Sequence, residues 1–207
     1  MKDKLKWVAT GGGPLIVVPV EIAHHWRGDE MIWPPTGNLE TIWEAVRKSS
    51  DYDRACGVEG YLGVLAVGPG TCLILGDEPM QTAFIPATGG GLLVRWMYAE
   101  GEEEVLRAVE SAPEAIWQPT PYRLRVGRGG LLLFDSVFPG DGLPSICGDG
   151  ANVPWLKVPV SRGTYEVDTA DYVPDEETHL ILHRLRWGRS VSGTVKATTG
   201  EDKCHGP

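Results

Sequence analysis

Asp77 and Glu78 stand side by side in the segment LILGDEPMQTAFIP (73–86), two carboxylates between apolar runs. Such a pair does acid–base chemistry only when both groups reach one point and share a proton. Neighbours at the end of an extended segment project to opposite faces, so a working dyad is not expected here. Gly76 permits a bend and Pro79 blocks further ladder bonding, which makes GDEP good turn chemistry after a strand. An acid in such a turn can still fold inward onto a base. Arg95, alone in LLVRWMYA, and Arg54, in DYDRAC, are the candidates for a structural ion pair with Asp77. The remaining reading is that Asp77 and Glu78 face another protein.

His179 and His183 have the spacing that would put two imidazoles on one helix face, able to share a zinc ion. The surrounding THLILHRLRW is rich in strand formers, however. On a strand the rings would be about 13 Å apart, too far for one metal. His24 and His25 are adjacent and point apart, and Cys204-His205 cannot complete a site alone. The acidic clusters DYDRAC (51–56) and PDEET (174–178) lack the spacing of a calcium loop and read as solvated loops with local side-chain-to-backbone bonds. There is no phosphate-binding GxxxxGK[ST], and GGGP (11–14) reads as a turn between two strands. No GxSxG elbow surrounds Ser136, Ser145 or Ser190. The residues therefore predict no catalytic group, no metal ligand and no cofactor. Cys56, Cys72, Cys147 and Cys204 are widely spaced with no CxxC. Cys56 and Cys72 read as buried thiols and the other two as loop or tail thiols, with no disulfide framework.

These residues must be positioned by short elements. LKWVATGGGPLIVVP predicts two short strands around a glycine turn, and PVEIAHHW one or two helical turns with Pro19 at the first position. NLETIWEAVRKSS predicts a helix capped by Asn38, since Leu39, Ile42, Trp43 and Val46 recur at helical spacing. GYLGVLAVG, TCLILGD, QTAFIP and GGGLLVRWMYA read as four strands. EGEEEVLRAVESAP reads as a helix with acids in its first turn and Val105, Leu106 and Val109 on its apolar stripe. After Trp117 only strands are evident: PYRLRVG, GLLLFDS, LKVPVSRGTYEVDTADYVP and ETHLILHRLRW, with a long loop at GDGLPSICGDGANVP. The fold class is α+β, mainly antiparallel β-sheet, with a few short helices in the N-terminal half and a β-rich C-terminal half. The organisation is an α+β unit over 1–117, a β-rich unit over 118–187 packed against it, and a flexible, disordered tail over 188–207.

The chain has 207 residues, 42% hydrophobic and 23% charged, as expected of a soluble globular protein. No apolar stretch is long enough to span a bilayer, and MKDKLKW lacks the apolar run of a secretory leader. Net charge is −9, and residues 1–117 hold 17 acids against 9 bases. A field of that sign repels nucleic acid and anionic membrane and attracts basic partners.

Taken in order, KWVATGGGPLIVVP, DYDRACGVEGYLGVLAVG, LILGDEPMQTAFIP and GGGLLVRWMYAEGEEEVLRAV resemble the Immunity protein 21 family of bacterial polymorphic toxin systems. LLLFDSVFPG and GTYEVDTADYVPDEETHLILHRL resemble the C-terminal part of longer members. Coverage is about residues 5–187, with 27–48 unmatched. The resemblance implies a cytoplasmic antidote that binds a cognate toxin domain, often a nuclease, and blocks it by stoichiometric occlusion. The candidate contacts are Asp51, Asp53, Asp77, Glu78, Glu102, Glu103 and Glu104, with Trp26, Trp33 or Trp43 as aromatic anchors. For each tryptophan the competing reading is core packing. The alternative function is a small-molecule or hydrolytic domain, with Asp135, His179 and His183 converging in a pocket between the two units.

Overall fold

Among the described residues, alternation of apolar and polar side chains resolves into twelve strands in two sheets. The computed structural model describes residues 4–30, 50–76, 78–141, 143 and 152–188. The strands are β1 (Trp7–Val8), β2 (Leu15–Pro19), β3 (Gly63–Val67), β4 (Gly70–Leu75), β5 (Gln81–Ala87) and β6 (Gly90–Tyr98) in the first part. They continue with β7 (Gln118–Val126), β8 (Leu131–Asp135), β9 (Asn152–Val153), β10 (Trp155–Val158), β11 (Gly163–Asp175) and β12 (Thr178–Trp187). The larger sheet runs β7-β11-β12-β6-β5-β1-β9 and the smaller runs β10-β8-β2-β4-β3. Pairing is antiparallel except between β1 and β9. The α+β, mainly antiparallel class read from the sequence is the class observed.

Each sheet takes strands from both sides of residue 117. The reason lies in the connections. The turn between β1 and β2, the GDEP segment between β4 and β5, and the GRGG segment between β7 and β8 each carry the chain from one sheet to the other. Local turn chemistry marks where a strand stops, but not whether the next strand pairs with it or crosses over.

Side chains on the inner faces interdigitate in a central core that includes Leu15, Val17, Leu73 and Leu133 from the smaller sheet and Leu93, Leu124, Val167 and Leu185 from the larger. Each outer face is covered in turn. Helix α1 (Asp51–Cys56) and a 3-10 helix (Val20–His25) cover the smaller sheet, where Ala23, Trp26 and Ala55 pack on Ile16, Val18, Ile74 and Phe134. Helix α2 (Glu102–Ser111) covers the larger sheet, where Val105 and Ala108 meet Ala83, Val94, Ala170 and Leu182. The layers are therefore helix, sheet, sheet, helix.

Some expectations change. DYDRAC is a helix, not a loop: Ser50 caps it by accepting the Asp53 N–H at 2.9 Å, and its acids occupy the first turn, where the helix dipole favours them. Pro19 precedes its 3-10 helix as the cap residue instead of opening it. Cys72 is buried, and burial pushes its thiol up to about 12, but Cys56 is exposed. Its position at the end of a one-and-a-half-turn helix leaves it facing solvent. The helix expected around residues 38–50, Cys147, Cys204 and the tail lie outside the described residues, apart from Ser50 and Gly188.

Candidate functional site

The GDEP segment crosses from Leu75 in the smaller sheet to Gln81 in the larger, and Arg95 on β6 holds that crossing. Arg95 is 1% exposed. Its Nη1 donates to the Tyr61 carbonyl at 2.9 Å, and its Nη2 donates to the carbonyls of Gly76 at 2.8 Å and Glu78 at 2.9 Å. A planar guanidinium suits this task because its fork of donors can satisfy several carbonyls that no strand partner reaches. Glu78 thus meets Arg95 through its backbone. Its side chain is exposed and has no hydrogen bond or ion pair among the described residues. Asp77 lies outside the described residues. Arg54 is engaged elsewhere: it pairs with Asp51 at 2.6 Å and donates to the Ala66 carbonyl at 2.9 Å. Three residues after Asp51 on the same helix, Arg54 is within reach of that first-turn acid and of the β3 strand beneath the helix.

Strand direction gathers acids at one end of the larger sheet. Gln81 at the start of β5 is opposite Trp96, and Tyr98 at the end of β6 is opposite His179 at the start of β12. Asp175, ending β11, pairs with Thr178. Antiparallel pairing therefore brings the loops 78–80, 99–101 and 176–177 to the same end. Glu78, Glu100, Glu103, Asp171, Asp175, Glu176 and Glu177 are all exposed there. Tyr98 and Val173 add apolar surface, 45% and 52% exposed. His179 ties the cluster together by bridging to Asp171 at 2.6 Å and meeting the Tyr98 ring edge-on at 5.4 Å.

The acids at the start of α2 divide by role. Glu102 accepts the Trp7 indole N–H at 2.9 Å and the Leu5 N–H at 3.3 Å, clasping the N-terminal strand to the helix. Glu104 accepts the Glu100 N–H at 2.8 Å, reaching back past the Gly101 cap to the residue before it. Glu103 faces solvent. Asp51 is half-buried and accepts the Arg27 N–H at 2.9 Å, while Asp53 is exposed. These two stand over the smaller sheet and α2 over the larger, on opposite outer layers of the sandwich. The candidate acids of the N-terminal half thus do not form one surface. Trp26 is not a surface anchor. It is 0% exposed, and its indole N–H donates to the Ser136 carbonyl at 2.9 Å. Its ring fills the layer under α1. Trp33 and Trp43 lie outside the described residues.

Sequence reasoning missed Asp168. This carboxylate is 3% exposed and sits between Arg184 and Arg186 of the neighbouring strand. Hydrogen bonding from Arg186, then from Arg184, holds it below the ordinary carboxylate range against the opposing effect of burial. Arg184 also forks onto Glu114 at 2.7 and 2.8 Å and lies over the Trp117 ring at 4.4 Å. The network ties the turn after α2 to the sheet. Its signal was two arginines two residues apart in HRLRW, which puts both on one strand face.

The residues of the alternative pocket are spread over both sheets. Asp135, on β8, accepts the N–H groups of Gly11 and Val137 at 3.0 and 3.1 Å. His183, on β12, is buried, shares a bond with Thr169 at 3.0 Å, and is pushed down to about 3 by burial and then by the Arg95 charge. It is a neutral core imidazole. Among the described residues no group of three His, Cys, Asp or Glu side chains is placed to hold a metal ion, and no helix is long and apolar enough to cross a membrane.

Comparison with known proteins places this sandwich. No curated protein and no solved structure matches the chain. The family model described as Immunity protein 21 matches residues 6–178, a span that runs through both sheets, α1, α2 and the Arg95-held crossing. With most of its length matched, the chain belongs to the Immunity protein 21 family.

Proposed function

We propose that this protein is the cytoplasmic antidote of a bacterial polymorphic toxin, binding one cognate toxin domain and covering its working surface. The observation that carries this reading is the family match over residues 6–178. The mechanism is occlusion: one antidote blocks one toxin, and nothing is turned over.

The acidic end of the larger sheet is the proposed contact. Glu78, Glu103, Asp175, Glu176 and Glu177 offer carboxylates without an ion-pair partner among the described residues, and Tyr98 and Val173 offer the apolar area that binding energy requires. Supporting strands hold these groups in place, so little ordering is needed on binding. A basic toxin surface, such as the substrate groove of a nuclease, is the complementary partner. Association would be fast and salt-sensitive. Neither nucleic acid nor membrane is a partner in this reading.

The test is co-expression with the toxin domain encoded beside this gene. Rescue of growth and co-purification as a stoichiometric complex are the expected results. Failure of both against every neighbouring toxin would overturn the reading.

A further inference from the structure

The end of the larger sheet opposite the acidic loops carries charge of the other sign. There a cleft of about 710 Å³ opens between the 3-10 helix Val20–His25, the β3–β4 turn and the GRGG segment. Arg125, Arg128 and Arg162 line it, beside an apolar wall of Pro19, Ile22 and Pro69. All three arginines are exposed, and none of their guanidinium groups makes a hydrogen bond or a close ion pair among the described residues, although the Arg162 charge acts on Glu21 and the Arg128 backbone N–H bonds its carboxylate. Most other described arginines are engaged, with Arg107 the exception: Arg27 pairs with Glu30, Arg54 with Asp51, Arg123 with Glu166, and Arg184 and Arg186 with Asp168.

The loop that carries Arg128 is built to a fixed shape. Gly129 donates its N–H to the Glu21 carboxylate at 2.7 Å, and Val20 donates its N–H to the Gly130 carbonyl at 3.1 Å. A Cβ on Gly127 would lie 2.2 Å from the Glu21 carboxyl carbon, and one on Gly129 would lie 2.7 Å from Val20. Gly130 sits at φ +78°, where other residues are strained. The glycines let the loop press onto the 3-10 helix and leave Arg128 beside the other two arginines. Glu21 is the one acid among the described residues that line the cleft. The Gly129 N–H holds its carboxyl below the ordinary range, so it stays ionised and leaves a net charge of about +2 among the lining groups.

We propose that this cleft binds an acidic peptide segment of a protein partner, with the guanidinium groups of Arg125, Arg128 and Arg162 pairing its carboxylates. Guanidinium forks match carboxylates two bonds at a time, and the proline–isoleucine wall suits an apolar side chain between the acids. A short acidic peptide fits better than nucleic acid. A polyanion longer than the cleft runs into the field of a protein of net charge −9, while a peptide can end its charge where the arginines end. The site is separate from the proposed toxin contact, since the thirteen residues of β11 lie between the two ends.

Fluorescence anisotropy on the full chain tests this with a labelled octapeptide of alternating glutamate and leucine. The expected result is binding that weakens when salt is raised from about 50 to about 300 mM. A glutamine–leucine octapeptide should not bind. The variant R125Q/R128Q/R162Q should bind about tenfold more weakly with an unchanged thermal midpoint, because all three side chains are exposed. The variant R125K/R128K/R162K keeps the charge and should fall between the two, which provides a readout even if the glutamine variant fails to fold. Tighter binding of an eight-residue oligothymidylate would overturn the proposal in favour of nucleic acid. Self-association of the chain that the glutamine variant abolishes would overturn it in favour of a second copy. Equal binding by parent and glutamine variant, or no peptide binding, would overturn it outright.

Discussion

Arg95 holds Glu78 by its backbone carbonyl, 2.9 Å from the guanidinium, and leaves the Glu78 carboxylate in solvent. Folding and recognition are thereby separated within one residue. The charge that organises the crossing is on the sheet, and the charge available to a partner is on the turn.

Replacing Arg95 with methionine should therefore destabilise the protein by about 3 kcal/mol or more, because the carbonyls of Tyr61, Gly76 and Glu78 lose a buried charged donor. Glu78→Ala should change stability by less than about 0.5 kcal/mol. Urea denaturation of the two variants measures both, and a large loss on Glu78→Ala would assign that carboxylate a folding role.

Glu102 and Glu103 are neighbours with opposite assignments. Glu102→Ala removes the acceptor of the Trp7 indole and should cost about 1–2 kcal/mol, whereas Glu103→Ala should be close to neutral. Thermal unfolding of each variant distinguishes them, and equal effects would contradict the clasp.

His183 makes stability depend on pH. Its folded-state pKa is depressed to about 3, so between the ordinary imidazole value of 6.5 and that point the unfolded chain binds the extra proton. The contribution is complete above 6.5 and is lost as pH falls, by about 1.4 kcal/mol per unit at most. His183→Leu should flatten the slope of unfolding free energy between pH 6.5 and about 4, measured by denaturant titration at each pH. An unchanged slope would place the titrating group elsewhere.

Asp168 titrates with the same sign but lower. Its folded pKa lies below the usual 3.8, so its stabilisation is present above that value and disappears as pH falls through the depressed one. At neutral pH, Asp168→Asn should cost about 3 kcal/mol, since Arg184 and Arg186 lose their shared charge partner. A neutral effect would mean that the outer acids Glu114 and Glu166 replace it.

If the acidic end meets the toxin, charge reversal there should slow association. Glu103→Lys combined with Glu176→Lys should lower the association rate about tenfold at low salt, with a smaller effect at high salt. Asp53→Lys, over the smaller sheet, should change it little. Kinetics against the cognate toxin domain compare the two, and a dominant Asp53 effect would move the contact to the other outer layer.

Much of the local structure was legible. Pro69-Gly70 announced the β3–β4 hairpin, and the acids and apolar spacing of 102–111 announced α2. Gly76 and Pro79 marked where β4 stops, because glycine and proline act through their own backbones. DYDRAC was misread because six residues give too little periodicity to reveal a helix that depends on a Ser50 cap and on packing beneath it.

By itself the sequence determined the class of fold, the positions of most strands, the absence of familiar catalytic spacings and the family. Those properties reside in short-range pattern. Only the tertiary structure decided that GDEP crosses between sheets, that Trp26 is core, and that Arg95 binds carbonyls. It also decided that the candidate acids of α1 and α2 lie on opposite layers while Glu78, Glu103 and Asp175–Glu177 converge. The physical reason is pairing over long separations: strand order and direction set which loops meet, and no residue near GDEP in the sequence encodes that the tip of β11 and β12 will stand at the same end.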